Sequence, residues 1–379
     1  MNMHPELGYF DEGLDLTQPE LYAAASKPFG RARVLPPAAF RSKIFADLED
    51  EKVWTRTWVC VGLQQQIPNP GDLLPFTVGT HGVHVERGRD GGLIGRFNKA
   101  QHGGCRAIPA QCQTGAKTRC SFTSCGYSRD REAIDSSEAG EGSQLGGQYL
   151  GDRPERLLPV KVDSWGPFVF VNLDNQSEPL GTELKGMAKQ AGKLFDGDLP
   201  LAAQERREHR CNWKLTGRAF LENISLPFTE MKAAKTNSPA GTTDTTGTPC
   251  YASRSIALSP GNEAHLYWLF PNLLLVLMPE YVVAVILQPT ATAMTLERIN
   301  ILADAAAGDA EELAETWADI LDASAAHGKA RQQEFKDAAK RLPVEDSASG
   351  YEFQKFLVAC ILKEHEYFWS APLFAQPGR

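Results

Sequence analysis

The sequence has no long hydrophobic run, no basic leader and no excess of basic residues. Although 42% of its 379 residues are hydrophobic, no apolar stretch approaches the roughly 18 residues that a membrane-spanning helix needs. The N-terminus, MNMHPELGYFDEG, lacks the basic start and apolar core of a secretory signal. The formal net charge of −8 argues against nucleic-acid binding, which requires a basic surface. We therefore expect a cytoplasmic protein that binds neither membranes nor nucleic acids.

The eight cysteines do not indicate a disulfide framework. In a chain of this size with no export signal, reduced thiols are expected, and clustered cysteines suggest metal binding instead. Four of the eight fall within one glycine-rich stretch, NKAQHGGCRAIPAQCQTGAKTRCSFTSCGYS, which also holds a histidine. This stretch is the first candidate site.

Hydrophobic patterning divides the chain into three parts. Residues 1–35 are mixed and interrupted by proline, and we interpret them as an N-terminal arm. Residues 36–178 begin with a helical pattern and continue as short alternating strands separated by Gly and Asp-Gly turns, which predicts a small all-β domain. Residues 179–379 predict a strand leading into a helix, three strands of an antiparallel sheet and two C-terminal helices with 3.6-residue spacing. The predicted fold class is α+β.

Four segments together resemble the large subunit of Rieske-type aromatic-ring-hydroxylating, non-haem iron oxygenases. They are VWTRTWVCVGLQQQIPNPGDLLPFTVG, SWGPFVFVNLD, NWKLTGRAFLEN and LFPNLLLVLMPEYVVAVILQP. Their order and spacing follow the family over most of residues 35–300. The resemblance implies a small all-β Rieske-like domain followed by a larger, helix-grip-like domain with an antiparallel sheet and C-terminal helices.

In that family a [2Fe–2S] cluster is held by C-x-H on one loop and C-x-x-H on a second. Laid on this sequence, the first motif keeps His102 but places Ala100 at the cysteine. The second motif places Phe122 at the cysteine and Cys125 at the histidine. Because alanine and phenylalanine cannot ligate iron, we expect no ordinary [2Fe–2S] cluster.

The same stretch nevertheless offers five nitrogen and sulfur ligands in the pattern H-x2-C-x6-C-x7-C-x4-C. Tetrahedral zinc needs four such ligands. Two interpretations stay open: a structural zinc that cross-links two β loops, or free cysteines that fill small gaps. A third interpretation, with less support from the sequence, is an atypical iron–sulfur cluster. The candidate zinc ligands are His102, Cys105, Cys112, Cys120 and Cys125.

The resemblance also places the mononuclear iron, which the family binds through two histidines and a carboxylate. The NWK motif and Glu222 match in register, but Ser225 and Glu230 stand at the two histidine positions. The third ligand aligns loosely with Asp346. These oxygen ligands make a poor ferrous site, so we expect no mononuclear iron. Glu222 takes the position of the acid that bridges the iron site to the neighbouring subunit's cluster, and we interpret it as an interface carboxylate.

Both redox centres are thus missing while the segments that define the fold are kept. From the resemblance together with the missing ligands we hypothesise a non-catalytic assembly subunit of a heteromeric Rieske-type oxygenase, paired with a metal-complete homologous large subunit in a complex built on trimers. Ferredoxin and reductase would serve the partner, and the substrate would be an aromatic or similar small organic compound. Two alternatives are an independent non-redox enzyme that uses Glu222 and Glu230 as general acid or base, and a small-molecule-binding protein.

Overall fold

A computed structural model of the protein describes residues 8–97, 133, 135–139, 159–184, 199–226, 249–259, 262–304, 307–337 and 342–365. The chain forms two compact units. The first is built from Trp54–Leu180, and the second from Leu7–Val53 together with Gly181–Glu364. Within the described residues, no helix combines the length and apolarity needed to cross a membrane.

The N-terminal segment belongs to the second unit. It contains a two-stranded hairpin and a series of short helices: β1 (Phe10–Asp11), β2 (Leu14–Asp15), α1 (Pro19–Tyr22), α2 (Ala38–Arg41), α3 (Lys43–Glu49) and a π-helical turn at Asp50–Trp54. The side-chain amide of Gln354 donates to the carbonyls of Ala25 at 2.7 Å and Arg33 at 2.9 Å. The ring of Phe40 stacks on Phe335 at 4.1 Å.

These contacts revise two sequence predictions. The segment interpreted as an arm is folded into the second unit, where its apolar residues Leu16, Tyr22 and Val34 are buried. Residues 36–53, predicted as the start of the β-rich domain, also lie in the second unit. Their apolar side chains pack against elements far along the chain, a pairing that local patterning cannot reveal.

The first unit is built on a six-stranded antiparallel sheet in the order β3-β8-β7-β6-β5-β4. Gly166, at φ +54°, lies in the turn between β7 and β8 and adopts the left-handed conformation that glycine tolerates best. Strands β3, β4 and β8 are buried along their whole length, as hydrophobic runs bounded by turn residues predict. The elements are β3 (Val59–Leu63), a 3-10 turn (Gln64–Gln66), β4 (Leu73–Val78), β5 (His81–Arg87), β6 (Leu93–Phe97), α4 (Ser136–Ala139), β7 (Pro159–Trp165) and β8 (Phe168–Asn172).

The second unit carries another six-stranded antiparallel sheet, in the order β10-β11-β12-β13-β14-β9, with three longer helices. Trp213 of α6 and Phe353 of α8 both contact Trp268 on β11, so these two helices lie on the same face of the sheet. The elements are α5 (Leu180–Glu183), β9 (Leu201–His209), α6 (Trp213–Asn223), β10 (Tyr251–Ser259), β11 (Asn262–Leu269), β12 (Leu273–Leu277), β13 (Tyr281–Ala291), β14 (Met294–Ala303), α7 (Ala310–Asp337) and α8 (Ala348–Leu362).

The α+β class, the strand leading into α6 and the two C-terminal helices are as predicted. The strand count was wrong. Four strands, rather than three, span residues 262–303, and β10 precedes them. The sequence gives no turn signal between β13 and β14, because the reversal at Thr292 and Ala293 contains no glycine, proline or asparagine.

Candidate functional site

The N-terminus of α6 is held at three points by Asn212. Its side-chain oxygen accepts the backbone N–H of Lys214 at 3.1 Å, which caps the helix. Its side-chain amide donates to the Thr292 carbonyl at 2.6 Å, and its own N–H donates to Gln332 Oε1 at 2.9 Å. The start of the helix is thereby fixed against the β13–β14 turn and α7.

The next residues of α6 build a buried ion pair. Lys214 Nζ lies 2.7 Å from Glu49 Oε1, with side chains 1% and 3% exposed. Trp213 Nε1 donates to Glu49 Oε2 at 3.4 Å. The rings of Phe40, Phe45 and Trp213 surround the ammonium, with centroids 5.8, 5.7 and 5.1 Å away. Burial raises the pKa of Glu49 and lowers that of Lys214, while each partner opposes the shift of the other. Trp213 and Lys214 of the NWK motif therefore stabilise the interior of this unit.

In mid-helix, Gly217 lets the sheet approach the α6 backbone. A Cβ at this residue would lie 2.4 Å from the indole of Trp268. That indole is fully buried and stacks on Phe353 at 4.2 Å, so it has little room to move. The glycine is required by this contact.

We predict that Gly217→Ala destabilises the chain by about 1–3 kcal/mol, because overpacking the contact with Trp268 outweighs the gain in helix propensity. Denaturant unfolding measures the change. Gly181→Ala in α5 is the control, because nothing lies within 4 Å of its added Cβ. Equal stability of the two variants would contradict the prediction.

The C-terminal half of α6 carries an arginine that binds several carboxylates. The guanidinium of Arg218 donates from both terminal nitrogens to Glu345, each at 2.6 Å. Its Nε lies 2.8 Å from Glu222 Oε1, one helical turn on, and Nη2 lies 3.8 Å from Asp346 Oδ1. Burial raises the pKa of the Glu345 carboxyl, and the neighbouring guanidinium opposes that rise. The permanently charged guanidinium of Arg218 therefore joins the acidic side chains at this end of α6.

The predicted iron positions can be located in part. Ser225 is exposed just beyond the end of α6, and Asp346 is 88% exposed. Glu222 is paired with Arg218. Glu230 lies outside the described residues. Neither of the two iron positions within the described residues supplies an imidazole, and Asp346 faces the guanidinium of Arg218, so these donors do not fit a mononuclear ferrous ion.

The residues of the cysteine-rich stretch lie outside the described part of the chain. The expectation that no ordinary [2Fe–2S] cluster binds therefore rests on the sequence, which has Ala100 and Phe122 at two of the four ligand positions. Zinc binding stays a prediction for His102, Cys105, Cys112, Cys120 and Cys125. Among the residues that the structure does describe, no three His, Cys, Asp or Glu side chains form a group suited to a metal ion.

Sequence reasoning missed the partners of these charged residues. The pairing of Arg218 with Glu222 has a signal, since residues four apart share one face of a helix. Glu345, directly before the proposed Asp346, is the buried acid that Arg218 contacts from both terminal nitrogens. Nothing local indicates Glu49, which lies 165 residues from Lys214.

An imidazole–carboxylate pair lies elsewhere in the same unit. His209 Nε2 is 3.0 Å from Glu297 Oε2, on adjacent strands β9 and β14. Such a pair can act in acid–base catalysis when a substrate reaches it. Here the two side chains are only 5% and 4% exposed, which fits a satisfied pair in the protein interior better than a catalytic one.

Comparison with known proteins bears on the fold and the family. No protein-family model matches the chain. The chain is 27% identical over 199 residues to choline monooxygenase of Spinacia oleracea, an alignment that covers 51% of this chain and 44% of that protein. It is 24% identical over 198 residues to the anthranilate 1,2-dioxygenase large subunit of Burkholderia cepacia, covering 51% and 46%. The chain thus matches about half the length of these curated relatives.

Among solved structures, the chain resembles a quaternary ammonium Rieske monooxygenase with a TM-score of 0.61. The identity is 18%, and the match covers 88% of this chain and 96% of that chain. At this identity the likeness shows the fold. Together with the sequence relatives, it confirms the resemblance drawn from the four sequence segments.

Proposed function

We propose that this chain, a homologue of the Rieske non-haem iron oxygenase large subunits that shares their fold, is a non-catalytic subunit of a heteromeric oxygenase. A metal-complete homologous large subunit would be its partner, in a complex built on trimers. The partner would receive electrons from ferredoxin or a reductase and carry out oxygen chemistry on an aromatic or similar small organic compound. This chain would hold the catalytic subunits in shape.

The observation that carries the proposal is the position of Arg218. Its guanidinium binds Glu222 and faces Asp346, two of the residues that the resemblance places at or beside the iron. A fixed positive charge at that place opposes the binding of Fe²⁺, and the imidazoles that would outweigh it are absent. Meanwhile the helix cap, buried ion pair and aromatic core that maintain the fold are complete.

The alternative of an independent non-redox enzyme has less support. Glu222, one of its two proposed acids, forms an ion pair with Arg218. Glu230, the other, lies outside the described residues. Turnover of a substrate by the purified chain alone, without a reductase, would favour this alternative.

We predict that the chain, expressed with its genomic neighbours, co-purifies with a second large subunit that carries intact C-x-H and C-x-x-H motifs. Native mass spectrometry of the complex with metal analysis of each separated chain is the measurement. Iron is expected on the partner only, because this chain lacks the ligands. A monodisperse, colourless chain with no partner would contradict the assembly role, and stoichiometric iron with sulfide on this chain would contradict the ligand assignment.

The same metal analysis tests the cysteine-rich stretch. We propose about one zinc per chain, held by four of the five candidate ligands. Cys112→Ser and Cys120→Ser together should abolish zinc binding. Cys360→Ser is the matched control, because Cys360 is a half-buried cysteine on α8, remote in sequence from that stretch. A zinc-free wild-type chain would favour the alternative of free, gap-filling cysteines.

A further inference from the structure

The hairpin of β1 and β2, residues 10–15, exposes two large apolar side chains among acidic ones. Phe10 is 53% exposed and Leu14 is 48% exposed. The strands pair so that these two side chains lie on opposite faces of the hairpin. The turn consists of Glu12 and Gly13, whose φ angles of +52° and +80° suit the tight turn that joins the strands of a hairpin. We call this element the acidic hairpin.

The acidic hairpin is held firmly at its tip and at its base. Among the described residues, Glu12 is the only residue other than glycine with a positive φ, a conformation that costs free energy. Its carboxylate is held by Arg41, with Oε1 and Nη2 2.7 Å apart. At the base, the Leu16 N–H donates to the Tyr9 carbonyl at 2.8 Å, and the Tyr22 hydroxyl donates to the Leu16 carbonyl at 2.6 Å. A hairpin ordered in advance loses little conformational entropy when it binds.

A second exposed surface of the same unit has the opposite charge. Residues 26–31, which we call the basic loop, expose Lys27, Phe29 and Arg31. The ring of Phe29 is 49% exposed and contacts Tyr351 of α8, with centroids 5.5 Å apart. Within the described part of the chain, neither Lys27 nor Arg31 forms an ion pair. The amide of Gln354 binds a backbone carbonyl on each side of the loop, so its ends are fixed to α8.

We propose that the acidic hairpin of one copy docks on the basic loop of a second copy of this chain. The hairpin combines the carboxylates of Asp11, Glu12 and Asp15 with two exposed apolar side chains. The loop places two cations on either side of an exposed aromatic ring. The two surfaces are therefore complementary in charge and in apolar character.

A second copy is the occupant that the charges favour. With a formal net charge of −8, two copies repel each other unless patches of opposite sign meet. Both surfaces are exposed in the single chain and both are fixed to the second unit, so one chain does not bring them together by itself. Because the surfaces differ, the contact either occurs twice in a symmetric dimer or repeats around a closed ring.

Sedimentation velocity of the isolated full chain at low salt, over a range of concentrations, tests the proposal by charge reversal. Asp11→Lys and Arg31→Glu should each raise the dissociation constant of self-association at least about tenfold, because like charges then face each other. An equimolar mixture of the two variants should associate like wild type, because the new lysine meets the new glutamate. Arg89→Glu is the matched control, an exposed arginine in the first unit, and should leave self-association unchanged.

Two apolar variants keep the test decisive if a charge variant does not fold. Phe10→Ser and Phe29→Ser should each abolish self-association, and mixing them should not restore it, because each contact then lacks an aromatic ring. Ile94→Ser is their control, at an exposed apolar residue of the first unit. In dilute solution, where the copies are separate, all variants should unfold like wild type.

A wild-type chain that stays monomeric at about 100 μM would overturn the proposal, since even weak interfaces populate complexes at that concentration. Self-association that survives both charge reversals, or that the mixture fails to restore, would assign the contact to other surfaces. Because only the isolated full chain is used, these outcomes are independent of the heteromeric partner. Self-association without any co-purifying large subunit would support this contact and contradict the proposed function.

Discussion

Replacing Lys214 with methionine should lower the free energy of unfolding by about 3–5 kcal/mol, because it leaves the Glu49 carboxylate buried without its counter-charge. Both side chains lie in the interior, with Nζ and Oε1 2.7 Å apart. Methionine fills a similar volume and keeps the contact with the surrounding aromatic rings. The loss therefore reports the unpaired charge rather than a cavity. Urea unfolding, with a check that the m-value stays constant, measures the change.

Two variants separate this effect from a general loss of charge. Adding Glu49→Leu to Lys214→Met removes the orphaned acid, and the double variant should regain most of the lost stability. Lys43→Met tests a surface pair, since Lys43 is 78% exposed and bonds Asp47 one helical turn away. It should cost less than about 0.5 kcal/mol. A double variant no more stable than Lys214→Met would show that the loss does not arise from the unpaired Glu49 carboxylate.

The pH dependence of the stability of Lys214→Met provides an independent test of this explanation. Burial already raises the pKa of Glu49 in the wild type, and the ammonium is the largest influence that opposes the rise. Without Lys214 the folded-state pKa of Glu49 moves further above its unfolded value. Stability is then highest below the unfolded pKa of about 4.3 and falls as the pH rises through the folded pKa. The deficit of the variant relative to wild type should therefore be smaller at about pH 5 than at about pH 8.

How far the sequence predicts this molecule depends on whether the relevant contacts are local. The helical spacing in α7 and α8 and the N-W-K start of α6 are local signals, and each is confirmed. The turn between β13 and β14 is local too, but its residues carry no turn preference, so two strands were merged into one. The N-terminal 45 or so residues were misplaced because their partners, such as Gln332 and Gln354, lie about 300 residues away.

The same difference between local and distant contacts applies to the candidate site. The absence of histidine at residues 225 and 230 is visible in the sequence alone, and it gives the expectation that no iron binds. The buried acid that binds Arg218 is not visible in the sequence, because Glu345 meets Arg218 across 127 residues. The loose alignment selected Asp346, which is exposed, whereas its neighbour is the buried ligand of the guanidinium. A one-residue difference in a loop separates the buried acid from the exposed one.

Trp268→Ala should be the other severe change, with an expected loss of about 3–5 kcal/mol. The indole is fully buried, stacks on Phe353 at 4.2 Å and meets the rings of Phe270 at 5.2 Å and Trp213 at 6.5 Å edge-on. Its Nε1 donates to the Pro271 carbonyl at 2.9 Å. Alanine leaves a large cavity and an unpaired carbonyl. Trp268→Phe should lose less, and Phe10→Ala, at a residue 53% exposed, should stay within about 0.5 kcal/mol.

The position of Trp268 makes a further outcome of the same measurement specific. It holds Trp213 of α6 and Phe353 of α8 on one face of the sheet, and Arg218 joins the flanks of these same two helices. Once the aromatic contact is lost, the two helices are less firmly positioned, and the ion pairs of Arg218 stabilise the fold less. The losses of Trp268→Ala and Arg218→Gln should therefore sum to more than the loss of the double variant, by about 0.5–3 kcal/mol. Trp268→Ala combined with Lys43→Met should be additive, and additivity in both pairs would mean that the two contacts hold the helices independently.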